Sequence, residues 1–218
     1  YFQKKNELTG VTALVTAGST HEFIDPVRFI GNPSTGKMGI AVADELANRG
    51  AEVTLVCGPS NEVQINKSIN RINVISAEDM YNACQEYIPK YDVACMTAAV
   101  ADYTPSETYG HKVKKSDDDL QVPLQRTKDI LKHFGSQKRA GQVVVGFAME
   151  TNDELINATK KLDNKNADLI VLNSLNDKGA GFKHSTNKVT FISKNQQPRE
   201  LSLKSKLQIA VDIVDEIV

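Results

Sequence analysis

The sequence predicts an α/β protein with a Rossmann-like three-layer fold, a mainly parallel sheet and a small projecting β arm or flap. Short apolar, β-branched runs alternate along the chain with longer segments whose apolar residues recur at helical spacing. Parallel strands need crossover connections, and such connections place helices on both faces of the sheet. A turn-rich segment from about residue 103 to 125 interrupts the alternation and predicts the arm.

The first strand is predicted at Val11 to Thr16, an apolar run that breaks at Ala17-Gly18-Ser19-Thr20. A helix is predicted over Gly36 to Arg49, because its apolar residues recur at helical spacing and Gly50 takes the expected position of a C-terminal cap. The next elements are a strand at Glu52 to Val56, a helix at Ala77 to Ile88 and a strand at Asp92 to Thr97. This order is typical of a doubly wound sheet.

The second half of the chain repeats the alternation. The predicted elements are a helix at Lys128 to Lys138, a strand at Gln142 to Phe147, a helix from Asn152 to about Asn164, a strand at Asp168 to Leu172, a strand at Lys188 to Ser193 and a helix from about Lys204. Between the halves, Tyr103 to Gln125 is predicted as two short strands. Lys112 to Lys115 and Leu120 to Leu124 flank an acidic turn at Ser116 to Asp119.

Composition indicates one compact domain at residues 4–218, with the arm at about 103–125. The chain has 218 residues, of which 40% are hydrophobic and 24% are charged. Tyr1, Phe2 and Gln3 resemble the remnant of an engineered protease site. A net charge of −1 and a pI near 6.5 argue against nucleic acid or an anionic membrane as a partner. Without a secretory signal or an apolar run of about 20 residues, a cytoplasmic protein is expected.

The cysteines and histidines indicate no metal or nucleophile motif. Cys57, Cys84 and Cys95 are odd in number, widely separated and in apolar surroundings, so they are predicted to be buried free thiols. The sequence contains no His-Glu-x-x-His, no paired Cys-x-x-Cys and no Gly-x-Ser-x-Gly. Metal hydrolases and serine hydrolases are therefore disfavoured.

The segment from Gly31 to Lys37 has the spacing of a phosphate loop but fails at a chemical position. That motif needs Ser or Thr after the lysine to hold magnesium, and here the residue is Met38. Glycines that open a helix still offer backbone N–H groups, so both an anion site and a simple glycine-rich helix entry remain open. The Gly-x-Gly-x-x-Gly fingerprint of dinucleotide enzymes is also missing, which disfavours hydride transfer.

Several other residues lie where ligands bind in a parallel sheet, beyond the carboxyl ends of strands. Asp102 follows the third strand and is either a ligand-binding carboxylate or a turn or cap residue. Phe147 ends the strand at Gln142 to Phe147 and either stacks on a base or belongs to the core. Lys161 and Lys165 share one helix face. With the arm lysines, they either balance a polyphosphate or are ordinary solvated residues.

Six segments of the sequence together resemble the phosphopantothenoylcysteine synthetase family. These segments are Thr16 to Thr20, Asp25 to Ile30, Asn32 with Ser34 to Gly39, Ala98 to Tyr103, Lys112 to Lys115, and Gly146 to Thr151. They cover nearly the whole chain in the family's order. The resemblance implies a two-step ligase of coenzyme A biosynthesis, in its free-standing bacterial form. In it, 4′-phosphopantothenate attacks the α-phosphate of CTP with help from Mg²⁺, and L-cysteine then displaces CMP. It also implies a homodimer formed partly through the arm.

The resemblance implies roles for individual residues. Asn32 matches the asparagine that binds the acyl intermediate, and Lys112 matches the arm lysine of the activation step, which also binds nucleotide. The other implied nucleotide-binding residues are Ser34, Gly36, Lys37, Gly39, Asp102, Lys128, Asp129, Ile130, Leu131, Phe147, Lys161 and Lys165. Ala98 and Ala99, with Asn32, are the implied acid-binding residues, and no metal ligand is implied. Met149 departs from the family's second alanine, beside the implied base pocket.

Two other functions stay open at the level of sequence. A Rossmann-type oxidoreductase would bind NAD(P) and act without cysteine, and a non-catalytic nucleotide-binding module would bind nucleotide without releasing pyrophosphate. The missing dinucleotide fingerprint opposes the first. Neither explains why Asn32 and Lys112 occur together.

Overall fold

The structure, a computed structural model, describes residues 6–115, 119–174 and 185–218. Its strands are Thr12–Ala17 (β1), Glu22–Phe23 (β2), Phe29–Ile30 (β3), Glu52–Cys57 (β4), Asn70–Asn73 (β5), Val93–Met96 (β6), Tyr103–Pro105 (β7), Leu124–Arg126 (β8), Val143–Glu150 (β9), Leu169–Ser174 (β10), Thr186–Asn187 (β11), Val189–Ser193 (β12), Arg199–Glu200 (β13) and Lys204–Ser205 (β14). Its helices are Lys37–Asn48 (α1), Ala77–Gln85 (α2), Ile130–Gln137 (α3), Glu154–Asn164 (α4) and Lys206–Ile217 (α5).

Within the described ranges, the main sheet has eight strands in the order β13-β12-β10-β9-β6-β1-β4-β5. The six strands from β10 to β5 pair in parallel, while β12 and β13 add to the edge in antiparallel fashion. The central strand β1 is buried along nearly its whole length, as expected for a strand covered on both faces. This arrangement confirms the predicted mainly parallel sheet.

Two apolar clusters, one on each face of the sheet, make the fold three-layered. Helices α1 and α5 pack on one face, where Val15 of β1 meets residues such as Leu46 and Ile213. Helices α2, α3 and α4 cover the other face, where Leu14 meets Met80 and Phe134. Neighbouring residues of a strand point to opposite faces, so β1 contributes to both cores. The predicted three-layer architecture is therefore confirmed.

The helix termini follow their local sequence signals. Ser76 and Asp79 form a reciprocal capping box at the start of α2, and Ser205 and Gln208 form another at the start of α5. Helix α2 ends at Gln85 rather than at Ile88, and a turn follows in which the Tyr87 N–H donates to the Cys84 carbonyl. Sequence periodicity locates such a boundary only to within a few residues.

The two strands of the arm pair with each other at a different place from the one predicted. Its two strands are β7 and β8, which pair at the base of the segment, whereas Lys112 to Lys115 form no strand. A run of lysines has no alternating apolar face to bury, so it has little reason to pair. Most of the predicted acidic turn, and Tyr1 to Gln3, lie outside the described residues. Strand β5 was not predicted, because its sequence Asn-Arg-Ile-Asn is mostly polar.

The three cysteines agree with the sequence analysis. Cys57, Cys84 and Cys95 are buried and free. Burial raises the pKa of the Cys84 and Cys95 thiols to about 12, which removes them as nucleophiles at neutral pH. Among the described residues, no helix has the length and apolar character needed to cross a membrane.

Candidate active site

A cavity of about 920 Å³ lies at the carboxyl ends of the parallel strands. Thr16 of β1, Met96 of β6, Phe147 of β9 and Asn173 of β10 all reach its wall from neighbouring strands. This is the edge at which ligands bind in open parallel sheets. The cavity is large enough for a nucleotide or a compound of similar size.

The structure brings together almost every residue that the family resemblance singles out. The cavity is lined by Asn32, Ser34, Gly36, Lys37, Gly39, Ala98, Ala99, Asp102, Lys128, Asp129, Ile130, Leu131, Phe147, Lys161 and Lys165. These residues come from loops and helices far apart in the chain, and a shared cavity is what one bound molecule would require. The exception is Lys112, which is exposed and lies outside this lining.

The glycine-rich loop opens helix α1 toward the cavity. Gly36 is the N-cap in the left-handed conformation, with φ of 83°, and no side chain caps the helix. The first-turn N–H groups of an α-helix have no partner within the helix. At Gly39, a Cβ atom would lie 2.1 Å from Thr97 Oγ1 and 2.9 Å from the Thr16 carbonyl oxygen. The two glycines thus let the positive end of α1 approach the sheet edge closely.

The side-chain amide of Asn32 is held in one orientation. Its Nδ2 donates to the carbonyl oxygens of Ala99 and Val100, at 3.1 Å each. These bonds use both amide hydrogens, so Oδ1 is left as an acceptor at the cavity wall. These hydrogen bonds hold the Asn32 side chain against the loop that follows β6. The sequence allowed this amide to donate or to accept, and the geometry favours accepting.

Asp129, Lys161 and Lys165 form a charged group where helices α3 and α4 meet the cavity. Asp129 caps α3 by accepting from the Lys132 N–H at 2.8 Å, and it also accepts from Lys165 Nζ. Burial works to raise the pKa of Asp129, but the hydrogen bonds from Lys165 and Lys132 outweigh it and lower the pKa. The carboxylate therefore stays ionised beside the two lysines.

Lys161 lies in the last turn of α4, whose C-cap is Lys165, and it is partly buried. Its Nζ donates to the Phe147 carbonyl oxygen at 2.7 Å. Burial lowers the pKa of Lys161, and repulsion from Lys165 adds to this, while the negative charges of Glu150, Asp129 and Asp102 act in the opposite direction. One hydrogen bond uses one of three ammonium hydrogens. The remaining donors are available to a ligand, so the lysine is more than a solvated residue.

Asp102 and Phe147 both lie in the wall of the cavity. Within the described part of the chain, the Asp102 carboxylate makes no hydrogen bond, so it is not a cap, and its side chain lines the cavity. Its backbone carbonyl accepts from the Thr127 N–H at 3.0 Å, at the base of the arm. Phe147 packs against the core and also contributes to the cavity wall. Both residues are placed to contact a ligand.

The arm is tied down near Lys112 by a buried carboxylate. Asp25 is fully buried and accepts from the backbone N–H of Val113 at 3.1 Å. Arg28 donates to Asp25 Oδ2 at 2.6 Å and to the Val113 carbonyl oxygen at 3.0 Å. The Arg28 guanidinium also holds the pKa of Asp25 well below its usual range. The clamp formed by Asp25 and Arg28 holds the segment next to Lys112, which is exposed.

Sequence reasoning assigned no role to the other residues of the cavity wall, although it placed Met149 beside the implied base pocket. They are Thr16, Thr35, Met38, Met96, Thr97, Val100, Tyr103, Arg126, Thr127, Lys132, Ala148, Met149, Asn173, Asn187 and Lys206. The carboxyl end of β10 was a signal for Asn173. Nothing local in the sequence indicated Lys206, because its position depends on how α5 packs against α1.

The charge of the lining is strongly unbalanced. Among the described residues of the wall, seven side chains are cationic and two are carboxylates, in a chain whose net charge is −1. The cations are Lys37, Arg126, Lys128, Lys132, Lys161, Lys165 and Lys206. Ion pairs partly balance Lys128 and Lys37, which meet Glu78 and Glu62 at 2.7 Å and 3.4 Å. The excess positive charge suits an anionic ligand.

The described residues contain no group of three or more His, Cys, Asp or Glu side chains arranged to hold a metal ion. The two carboxylates of the cavity wall differ in their availability. Asp129 is engaged by Lys165 and by the start of α3, whereas the Asp102 side chain has no hydrogen-bond partner in the described ranges. A hard cation bound here would have one carboxylate at hand, which suits a metal held mainly by phosphate oxygens.

Comparisons with known proteins give relatives over the whole chain. Residues 8–218 match the DNA/pantothenate metabolism flavoprotein C-terminal domain. A cysteine/cysteine sulfinic acid decarboxylase from an unknown prokaryotic organism is 46% identical over 221 residues, which is 100% of this chain and 62% of that protein. The coenzyme A biosynthesis bifunctional protein CoaBC of Bacillus subtilis (strain 168) is 46% identical over 210 residues, which is 96% of this chain and 52% of that protein.

A solved structure extends the likeness to three dimensions. The crystal structure of the C-terminal domain of a coenzyme A biosynthesis bifunctional protein CoaBC is 41% identical and superposes with a TM-score of 0.82. The match covers 97% of this chain and 96% of that domain. The chain thus spans little more than half of the length of the full-length sequence relatives, while it corresponds to nearly all of the solved domain.

Proposed function

The chain belongs to the DNA/pantothenate metabolism flavoprotein C-terminal domain family, the phosphopantothenoylcysteine synthetases, and from this premise we propose that it joins 4′-phosphopantothenate to L-cysteine. The reaction has two steps. CTP first activates the acid as an acyl-cytidylate with release of pyrophosphate, and cysteine then displaces CMP. Activation is needed because a free carboxylate is a poor electrophile.

The observation that carries this proposal is the cationic cavity that the residues implied by the family share. Both substrates of the first step are anions: one carries a triphosphate and the other a phosphate and a carboxylate. The excess of cationic side chains in the wall matches that demand. A hydride-transfer enzyme would also bind an anionic dinucleotide, but the loop that opens α1 lacks the dinucleotide fingerprint.

The cavity offers separate regions for the nucleoside and the acid. Lys161, Lys165 and Asp129 supply hydrogen-bonding groups beside Phe147, whose ring provides an apolar surface for a base. Ala98 and Ala99, which follow β6, leave room for the acid to pass close to the backbone. Asn32, bonded to Ala99, lies beside that passage. The carboxylate of the acid would therefore meet the α-phosphate near Asn32.

In the second step, Asn32 acts as a hydrogen-bond acceptor. Since its Nδ2 is occupied by two backbone carbonyls, its Oδ1 is available to accept from the amine of cysteine and orient it toward the acyl carbon. The amine nitrogen bonds to that carbon, the bond from the carbon to the cytidylate oxygen breaks, CMP leaves with the electron pair, and the nitrogen releases one proton to water.

Lys112 acts in the activation step, and the arm delivers it to a neighbouring protomer. The lysine lies outside the cavity of its own chain, on a segment held by Asp25 and Arg28. A homodimer in which the arm of one subunit closes the cavity of the other would bring this cation to the phosphate that gains negative charge.

Magnesium fits this site as a companion of the triphosphate. Asp102 would supply a protein carboxylate, and phosphate oxygens and water would complete the octahedral shell that Mg²⁺ prefers. The ion, when bound, neutralises charge on the phosphates. The contribution of the chain is the placement of Asp102 at the base of the arm, where its backbone bonds Thr127.

Pyrophosphate release tests the proposal directly. Mixing the protein with CTP, Mg²⁺ and 4′-phosphopantothenate is expected to release pyrophosphate only when the acid is present, and product should form only when cysteine is added. Replacing CTP by ATP in a parallel reaction measures nucleotide preference. Nucleotide binding without acid-dependent release would support a non-catalytic module, and activity with NAD(P) but without cysteine would support an oxidoreductase.

A further inference from the structure

One cation of the cavity wall lies at the base of the arm and has no part in the assignment above. Arg126 ends β8, and the residue opposite it in the antiparallel pair is Tyr103 of β7. Both residues line the cavity, and both are exposed. Side chains of directly opposite residues stand on one face of such a pair, with Cβ atoms about 5 Å apart. A guanidinium and an aromatic ring are therefore neighbours in the cavity wall.

The guanidinium of Arg126 is available to a ligand. Among the described residues it makes no hydrogen bond and no ion pair. Three other cations of the wall are each paired with a carboxylate, namely Lys37, Lys128 and Lys165. A guanidinium also presents two parallel N–H donors to a carboxylate, which an ammonium group cannot do. Arg126 therefore suits a carboxylate ligand.

Two sets of hydrogen bonds hold Arg126 close to Asn32. The loop that follows β6 offers four successive carbonyl oxygens, at residues 99–102, and the Asn32 amide donates to the first two at 3.1 Å each. Thr127 donates to the last two, from its hydroxyl to Ala101 at 2.7 Å and from its backbone N–H to Asp102 at 3.0 Å. The two middle carbonyls belong to adjacent residues, whose Cα atoms are about 3.8 Å apart. Asn32 and the residue before Thr127 thus flank one short segment of the cavity wall.

L-Cysteine brings a further anion to this segment. Its α-carboxylate has no partner among the residues placed above, which serve the nucleotide and the acid. The Oδ1 of Asn32 accepts from the amine of cysteine, and the carboxylate carbon is only two bonds away from that nitrogen. A cation that binds the carboxylate must therefore lie close to Asn32. Arg126 meets this condition because both residues are attached to the same loop.

We propose that Arg126 binds the α-carboxylate of L-cysteine and, together with Asn32, orients the amine toward the acyl carbon. This inference rests on the proposed function. Holding the amino acid at two points places its nitrogen for attack. The ring of Tyr103 stands beside the guanidinium and excludes water from one side of the ion pair, which strengthens it. Arg126 thereby selects an amino acid over an amine that lacks the carboxylate.

The phosphates of the two other substrates are the alternative partners of Arg126, because a guanidinium binds phosphate as well as carboxylate. The carboxylate is favoured because Arg126 flanks the segment that Asn32 holds, where the amine must lie. A phosphate partner would make Arg126 necessary for activation, whereas a carboxylate partner makes it necessary only for amide formation. The two cases therefore differ in the step that depends on Arg126.

Cysteamine, which is cysteine without its carboxylate, tests the subsite. With CTP, Mg²⁺ and 4′-phosphopantothenate present, Arg126→Met should lower kcat/KM for L-cysteine by about tenfold or more, because a charge-assisted hydrogen bond is lost. The kcat/KM for cysteamine should stay nearly unchanged. Arg126→Lys keeps the charge but not the paired donors, so it should recover part of the loss. Equal losses for the two amines, or no loss for L-cysteine, would overturn the proposal.

Gln125→Met is the matched control. Gln125 precedes Arg126 on β8, is exposed and is not part of the cavity wall. Neighbouring residues of a strand point to opposite faces, so this variant should keep the wild-type ratio of kcat/KM for the two amines. An equal fall of that ratio in Gln125→Met would show that the strand rather than the guanidinium sets the selectivity, and would contradict the proposal. If Arg126→Met does not fold, Arg126→Gln repeats the comparison with a polar side chain on this exposed strand.

Pyrophosphate release in a single turnover separates the two steps. Arg126→Met, at an unchanged melting temperature, should release pyrophosphate from CTP and the acid at the wild-type rate, because cysteine enters only after activation. Slower release with a raised KM for CTP or for the acid would assign Arg126 to a phosphate and overturn the proposal. Failure of the proposed function has a different signature, which is a wild type that releases no pyrophosphate when the acid is added.

Discussion

Individual residues at this sheet edge are held by hydrogen bonds that leave one defined group available. Asn32 donates its two amide hydrogens to backbone carbonyl oxygens, which leaves its Oδ1 as an acceptor. Lys161 donates one ammonium hydrogen to the Phe147 carbonyl oxygen and has two further ammonium hydrogens. Fixed groups of this kind lose little conformational entropy when a ligand binds, which favours precise placement of reacting atoms.

The Asn32→Ala variant should separate the two steps of the proposed reaction. Because the acceptor for the cysteine amine is lost while the phosphate-binding loop and lysines remain, the acyl-cytidylate is expected to accumulate. Pyrophosphate release in a single turnover should persist, and the rate of product formation should fall about 100-fold or more. Rapid-quench chromatography with labelled CTP measures both. Equal loss of both steps in a folded variant would refute the assignment of Asn32 to the second step.

Asp25→Asn should loosen the clamp that holds the arm. The Arg28 guanidinium and backbone N–H groups lower the pKa of Asp25 against the opposing effect of burial. A lowered pKa means that ionised Asp25 stabilises the folded state fully above its ordinary pKa of 3.8, and this contribution is lost as pH falls toward the lowered pKa. The variant should therefore melt several degrees below wild type at neutral pH.

The lowered pKa of Asp25 also predicts how the difference in melting temperature between wild type and Asp25→Asn changes with pH. The gap in melting temperature between wild type and Asp25→Asn should shrink when the pH falls below about 3.8. Calorimetric scans across this range measure it. A gap that stays constant with pH would show that the ionised carboxylate does not provide the stability.

At the scale of elements, the close approach of α1 to the sheet shapes the cavity. Gly39 faces β1 and the end of β6, where Thr97 Oγ1 donates to the Thr16 carbonyl oxygen. The helix start can reach the strand ends only because position 39 lacks a side chain. The packing of α1 and the position of its uncapped N-terminus at the cavity thus depend on the same glycine.

Gly39→Ala should destabilise the fold and displace the phosphate-binding loop. Its Cβ would lie 2.1 Å from Thr97 Oγ1 and 2.7 Å from Ala17 Cβ, so α1 must move away from the sheet. We expect a loss of about 1–3 kcal/mol in the free energy of unfolding, as for other overpacked sites, measured by urea titration. The KM for CTP should rise as well.

Gly110→Ala is the control for this substitution. Gly110 has open space around the position of its missing Cβ, so its replacement should change the unfolding free energy by less than about 0.5 kcal/mol. Equal stability of the two variants would contradict the close packing of α1.

At the scale of the whole molecule, the cavity of this chain lacks one of the residues that the family resemblance implies. The cavity gathers every residue implied by the family except Lys112, which is exposed. A lysine needed for activation but located outside its own cavity suits a cyclic homodimer in which each arm serves the other subunit.

Mixing two inactive variants tests this arrangement. Lys112→Ala and Asn32→Ala homodimers should both lack product formation, but subunit exchange should create hybrids in which one cavity has both groups. Random exchange at equal concentrations should restore about a quarter of wild-type activity, since half of the dimers are hybrids with one complete site. No recovery, after native mass spectrometry has shown exchange, would place Lys112 in its own subunit or outside the reaction.

The alternation of apolar runs determined most of the fold before any contact was known. Strands such as β1 and helices such as α1 follow from local periodicity, and Gly36 and Gly39 mark the loop from residue type alone. The position of the arm along the chain was predicted correctly, but its paired strands were not. Strands β7 and β8 are separated by more than fifteen residues, and the sequence of that segment does not indicate which residues pair.

The sequence by itself determined the three-layer class, the edge of the sheet at which the cavity lies and, through the family's motifs, about half of the cavity wall. Only the tertiary structure decided that Asn32 presents an oxygen, that Asp25 holds the arm beside Lys112, and that Lys206 joins Lys37 in the wall. The physical reason is the distance along the chain over which the contacting residues are separated. Periodicity reports how a segment meets its own neighbours, whereas the meeting of α1 with α5 depends on packing across the sheet, which local pattern does not encode.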